Sequence, residues 1–217
     1  MLRVGLTGDL GSGKSTVARM LAERGAVVMS SDELARAMMQ PGEPVYNEIV
    51  KRFGPGVVAA DGGLDRRELA RMAFDAVQPR VEELNAIVHP AVIAAQAERI
   101  AELERTQPGA MVVVESALVF SAKAGGEPWR ERFDCVVVVR AAEALKVERF
   151  VERMAAGREL SAQERGVLEA DARKRLALQH KTGTPKGCLV VDNDGSVEAL
   201  RAKVHELMER LRGMAEG

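Results

Sequence analysis

Five short apolar runs punctuate the chain, at residues 2–6, 26–29, 111–114, 135–139 and 188–191. They are rich in valine and do not alternate with polar residues, which is the look of strands covered on both faces in a parallel sheet. Longer helical patterns separate them, so the sequence predicts an α/β fold with a five-stranded, mostly parallel sheet and flanking helices. Helices are expected over 15–24, 32–39, 45–53, 65–74, 142–155 and 162–180. A long helical stretch over 79–104 should bend or break near Pro90. The last helix shows an apolar stripe of Val197, Leu200, Val204, Leu207, Met208 and Leu211, and residues 214–217 should fray. The spacing is uneven. About 80 residues separate the second and third runs, far more than one crossover helix needs, so a helical insertion is expected there, at about 40–108.

Composition narrows the picture. With 217 residues, 47% of them hydrophobic, the chain can bury one sizeable core, and one domain with an insertion is expected. Its 31 basic and 32 acidic residues nearly balance, and aromatics are 3%, so neither nucleic acid nor an anionic membrane is an expected partner. No run reaches the length of a membrane span, and residues 2–6 are too short for a signal peptide. A cytoplasmic location and a monomer are the expectations. The two cysteines, Cys135 and Cys188, read as buried thiols at strand starts, since no close Cys/His cluster accompanies them.

The chemistry is concentrated at Gly8-Asp9-Leu10-Gly11-Ser12-Gly13-Lys14-Ser15, followed by Thr16. This fits G-x4-G-K-[ST], placed after a strand and before a helix, as a phosphate-binding loop requires. The glycines let backbone N–H groups point at phosphates, and the helix that follows adds its positive dipole end. Lys14 is expected to reach the β- and γ-phosphates of ATP, Ser15 to ligate Mg²⁺ and Thr16 to support the α-phosphate. The N-K-x-D signature of guanine recognition is absent, since Asp192-Asn193-Asp194-Gly195 lacks the lysine and the order. A small chain with an insertion points to a small-molecule kinase.

Asp32 follows the second strand, and ligands of parallel sheets gather at the carboxyl ends of strands. Two compatible roles are open to it: proton acceptor for an attacking hydroxyl, with a water-mediated hold on Mg²⁺, or helix N-cap. Arg36, one turn later, can reach an anionic substrate. Glu115 ends the third strand and reads either as a second carboxylate near Mg²⁺ through water or as a surface charge.

A series of landmarks then appears in order. They are Ser31-Asp32-Glu33-Leu34-Ala35-Arg36, Gln40-Pro41-Gly42, Phe53-Gly54, Asp61-Gly62-Gly63-Leu64-Asp65-Arg66-Arg67-Glu68-Leu69, Phe74, Leu84-Asn85-Ala86-Ile87-Val88-His89-Pro90, Arg149-Phe150-Val151-Glu152-Arg153 and Asn193-Asp194-Gly195-Ser196. With the loop, they resemble the dephospho-CoA kinases over roughly residues 2–210. The resemblance implies a P-loop NTPase core, a helical CoA-binding subdomain and a mobile lid at about 145–180. It also implies transfer of the ATP γ-phosphoryl group to the ribose 3′-hydroxyl of dephospho-CoA. Carried over by position, Asp32 is the base, and Arg36, Arg66, His89 and Pro90 lie on the acceptor side. Arg149 and Arg153 become the lid arginines, with Arg149 the first choice for neutralising charge on the transferred group, and Asn193 lies on the nucleotide side. By itself, an i, i+4 arginine pair such as Arg149/Arg153 reads as a solvated helix face, and a histidine before proline reads as packed or capping.

The chain departs from the family pattern at three places. Ser30-Ser31-Asp32 stands where the family usually has Asp-Ala-Asp. Ala117-Leu118-Val119-Phe120-Ser121 lacks the usual proline and glutamate. The segment from His180 to Gly187 is loosely spaced. These departures leave two alternatives open: a related kinase with another nucleoside or nucleotide acceptor, and a weakly active nucleotide-binding paralogue.

Overall fold

The structure, a computed structural model, describes residues 1–75, 77–120, 129–179 and 184–216. Ser121, residues 180–183 and Gly217, all named above, lie outside the described residues. By packing, the described chain divides into two units. One comprises residues 1–29, 107–120 and 129–216, and the other residues 30–106.

The first unit is built on a sheet of five strands: β1 (Leu2–Gly8), β2 (Val27–Ser30), β3 (Met111–Glu115), β4 (Cys135–Arg140) and β5 (Leu189–Asp192). Their order is β2-β3-β1-β4-β5, and β1 pairs in parallel with both β3 and β4, as β4 does with β5. Each strand coincides with one apolar run to within two residues at either end. The reason is burial on both faces: Val4, Leu6, Val112, Val113 and Val137 are almost wholly removed from solvent. Gly5 is required by close approach, since a Cβ there would sit 3.0 Å from the Phe133 ring. The helices α1 (Lys14–Ala22) and α9 (Val197–Glu216) complete this core through Val17, Met20, Leu21, Leu200, Val204, Leu207, Met208 and Leu211.

Two expectations about α9 need correction. It is helical through Glu216, so residues 214–216 belong to the helix, and Val197, in the first turn, is exposed and not part of the buried stripe. Cys135 and Cys188 are free thiols. Burial pushes Cys135 up to about 11, which leaves it almost wholly protonated and inert at neutral pH. Among the described residues, no helix is long and apolar enough to cross a membrane.

A helical pair belongs to the same unit: α7 (Glu143–Ala155) and α8 (Ala162–Gln179), preceded by the single turn α6 (Trp129–Arg132). Val147 and Phe150 of α7 pack on Ala172 and Leu176 of α8, and Leu10 of the phosphate loop joins that cluster. This is the segment expected as a lid.

The second unit is helical: α2 (Ser31–Met38), α3 (Pro44–Phe53), a 3₁₀ turn (Pro55–Val57), α4 (Arg66–Ala73) and α5 (Val81–Thr106). Its core is Val45, Ile49, Phe53, Val57, Leu69, Val88 and Val92, with Leu34, Ala35, Met38 and Met39 of α2 packed against it. Packing therefore puts α2 in this unit, ahead of the start near residue 40 expected from spacing alone. The helix α5 runs unbroken through Pro90, contrary to a break there. Proline deletes one N–H, but Val88, Val92 and Gln96, spaced four apart, bury a face on either side of it and hold the helix together. Arg52 and Arg80 both bind Glu83, holding its carboxyl down at about 2, and Arg80 also lies 4.3 Å from the Phe53 ring centroid.

Candidate active site

The phosphate loop leaves β1 and enters α1 through Gly13, whose φ of 92° is left-handed and suits glycine. The start of α1 has no side-chain cap. By contrast, Ser30 caps α2 through Glu33 N, and Asp65 caps α4 through Arg67 N and Glu68 N. The first-turn amides of Lys14 and Ser15 have no carbonyl of their own helix to bond, so the helix end presents donors and a positive dipole to an anion. Side chains are excluded around the loop: a Cβ on Gly11 would collide with the Lys146 carbonyl, and one on Gly13 with the Asn193 amide. Ser12 is fully buried, and its hydroxyl makes no hydrogen bond among the described residues.

Beside this helix start, the Ser15 hydroxyl donates to Glu115 Oε1 at 2.6 Å. Glu115 is 8% exposed, and the β1–β3 register sets it opposite Leu6. A hydroxyl and a carboxylate in contact are hard oxygen donors, the kind Mg²⁺ takes while keeping most of its waters. Among the described residues no group of three or more His, Cys, Asp or Glu side chains is gathered.

The pair α7/α8 grips the loop from outside. Lys146 Nζ pairs with Asp9 Oδ2 at 2.9 Å, and Gln179 Oε1 accepts from Leu10 N at 2.8 Å. Arg149 donates to the carbonyls of Asn193 (2.9 Å) and Gly11 (3.5 Å). Asn193 is buried and donates its amide to Ser12 O at 2.9 Å. Asn193 thus braces the loop from behind with its Nδ2, and Arg149 sits on the loop backbone. Arg153, one turn on, is exposed and lies over the Phe150 ring.

The sequence reading passed over Lys146 and Gln179. Only one signal was available: Lys146 interrupts the apolar face that Val147, Phe150 and Val151 continue, and a lysine on a buried face needs a partner. Nothing local marks Gln179.

The second unit holds a cavity of about 540 Å³. Asp32, Arg36, Asp61 and Arg66 are its charged lining, and Met39, Leu64, Leu69, Phe74 and Leu84 its apolar wall. Phe74 is 71% exposed, unusual for so large a ring. Three of the predicted acceptor-side residues, Asp32, Arg36 and Arg66, therefore meet at one cavity. His89 and Pro90 do not line it; they lie within α5. Partial burial lowers the His89 imidazole below its ordinary value, with the Glu82 carboxylate opposing the shift.

The capping reading of Asp32 is resolved by its neighbour. Ser30 is the N-cap, and the Asp32 side chain remains exposed in the first turn. Ser31 accepts from the buried Gln96 of α5 at 2.8 Å, so each serine in Ser30-Ser31-Asp32 has a local structural task. The wall of the cavity is also fastened: Tyr46 of α3 donates to Gly62 O at 2.6 Å, in the turn that carries Asp61 and Gly63.

This geometry accords with known proteins. The sequence model of dephospho-CoA kinase matches residues 2–199. A dephospho-CoA kinase of Moorella thermoacetica is 36% identical over 212 residues, spanning 98% of this chain and 93% of its own. One from Corynebacterium jeikeium is 39% identical over 206 residues, 94% of this chain and 96% of its own. Among solved structures, TT1252 from Thermus thermophilus superposes with a TM-score of 0.69 at 30% identity, over 97% of either chain. The dephospho-CoA kinase from Campylobacter jejuni shares the fold, with a TM-score of 0.56 at 18% identity over 96% of either chain. The chain belongs to the dephospho-CoA kinase family.

Proposed function

We propose that the chain transfers the γ-phosphoryl group of ATP to the ribose 3′-hydroxyl of dephospho-CoA, releasing ADP and CoA. The phosphate loop, residues 8–16, holds the triphosphate with its amides, the uncapped end of α1 and Lys14. Ser15, with Glu115 behind it, would hold Mg²⁺, which when bound offsets phosphate charge. Phosphoryl transfer needs alignment and charge stabilisation more than covalent help. Asp32 accepts the proton of the attacking hydroxyl, whose oxygen bonds to the γ-phosphorus as the bond to the ADP oxygen breaks. Arg149, with Arg153 behind it, stabilises charge on the transferred group, and the α7/α8 lid keeps water away.

One observation carries the acceptor assignment. A single cavity brings a carboxylate, Asp32, together with the cationic residues Arg36 and Arg66 and an apolar wall. That combination suits an acceptor with a reacting hydroxyl, anionic phosphates and a flat aromatic base. His89 and Pro90 position this unit through α5 and need not touch the acceptor.

The test is an acceptor panel with ATP and Mg²⁺, comparing dephospho-CoA with adenosine, AMP and other nucleosides and nucleotides. A strong preference for dephospho-CoA is expected. Equal or better turnover of another acceptor would overturn the assignment.

A further inference from the structure

Part of the acceptor cavity is walled by a hairpin. Ala59, Asp61, Gly63 and Leu64 line it, and Arg66 follows as the first residue of α4. Val58 bridges Leu64 in antiparallel fashion, Ala59 N donates to Gly63 O at 2.8 Å, and Asp65 N donates to Val57 O at 2.8 Å. At the tip, Gly62 N returns to Ala59 O at 2.9 Å, and Gly63 N donates to Asp61 Oδ1 at 2.9 Å. The Gly62 φ of 84° is left-handed, which suits glycine. Two strands this short are marginal by themselves. Ala60 and Asp61 are exposed, so burial does little to hold the tip. A bond from outside the hairpin supplies that hold: the Tyr46 hydroxyl donates to Gly62 O at 2.6 Å. Its donor is firmly mounted, because Val45, Ile49 and Phe53 fix α3 in the core of this unit. Tyr46 does not itself line the cavity.

We propose that Tyr46 is a positioning residue for the acceptor: its hydroxyl fixes the hairpin that brings Asp61 and Leu64 to the cavity and leads into Arg66, and so sets the affinity for dephospho-CoA. The inference rests on the acceptor reading given above. Its mark is selectivity. A loosened wall weakens acceptor binding in the ground state and the transition state alike, which raises one KM and leaves kcat alone. The phosphate loop belongs to the other unit, so KM for ATP should not follow.

Tyr46→Phe removes the one hydroxyl and keeps the ring. Its kcat, its KM for dephospho-CoA and its KM for ATP are compared with those of the wild type, together with thermal midpoints and amide hydrogen exchange over residues 57–66. KM for dephospho-CoA should rise about 3- to 10-fold, the worth of one hydrogen bond. kcat and KM for ATP should stay within about twofold of the wild type. Exchange over 57–66 should quicken by a factor of about 3 to 10.

A role in stability alone gives another pattern: the thermal midpoint falls while both KM values hold. That pattern overturns the proposal. A parallel rise in both KM values, a loss confined to kcat, or a raised KM for dephospho-CoA with unchanged exchange over 57–66 overturns it as well. A wild type that does not phosphorylate dephospho-CoA sinks both this inference and the acceptor reading. A wild type that does, with Tyr46→Phe matching it, sinks the inference alone.

Discussion

The hydroxyl of Ser15 donates to the carboxylate of Glu115 at 2.6 Å, joining the first turn of the loop helix to the end of the neighbouring strand. A carboxylate behind a metal-ligating hydroxyl orients it and makes its oxygen a better donor. Glu115→Gln should raise the Mg²⁺ concentration for half-maximal rate by about 10- to 100-fold. A Mg²⁺ titration of initial rate checks this. An unchanged half-saturation point, with only thermal stability altered, would make Glu115 a packing residue.

The N-cap of α2 is Ser30 and not Asp32. Ser30 accepts from Glu33 N, and Asp32 lies in the first turn. Ser30→Ala should lose about 0.5–2 kcal/mol of stability, the usual value of an N-cap. Asp32→Asn should keep the melting temperature near that of the wild type while kcat falls about 10²–10⁴-fold. Paired thermal melts and steady-state kinetics read both. If Asp32→Asn retains full kcat, the proton acceptor lies elsewhere.

Arg149 and Arg153 are unequal in the structure. Arg149 donates to the carbonyls of Gly11 and Asn193 beside the loop, whereas Arg153 stands exposed over Phe150. Arg149→Ala should lower kcat roughly 10²-fold or more. Arg153→Ala should lower it less. A larger loss at Arg153 would reverse the order of their roles.

His89 supplies a pH dependence. Partial burial lowers its pKa in the folded state below the ordinary 6.5, so folding favours the neutral ring. Its contribution is complete above the unfolded value and is lost as pH falls through the lower folded value. Stability should therefore decline on the acid side, and His89→Gln should flatten that decline. Urea denaturation between about pH 5 and 8 measures it, and parallel curves for the two proteins would remove His89 from the account.

Much of this molecule is legible in its sequence, for identifiable reasons. Both faces of the sheet are buried, so β3 and β4 appear as apolar runs closed by one charged residue, β1 as a run interrupted by Arg3, and the phosphate loop is contiguous. The bracing of that loop is not contiguous. Lys146, Arg149, Gln179 and Asn193 reach it from distant parts of the chain. Their partners are backbone atoms or, for Lys146, the Asp9 carboxylate, which no spacing rule marks. Pro90 misled because the local cost of proline is visible in sequence, while the burial of Val88, Val92 and Gln96 that outweighs it is not. Ser30 read as a lost acid, yet a hydroxyl caps a helix as well as a carboxylate does.

The central claim is that the phosphate loop and Asp32 together move a phosphoryl group onto dephospho-CoA. The most direct measurement follows ADP release with ATP, Mg²⁺ and dephospho-CoA while mass spectrometry detects CoA, for the wild type and for Lys14→Ala. The account predicts ADP and CoA in equal amounts from the wild type and neither from Lys14→Ala. ADP formed without CoA, or CoA formed undiminished by Lys14→Ala, would contradict it.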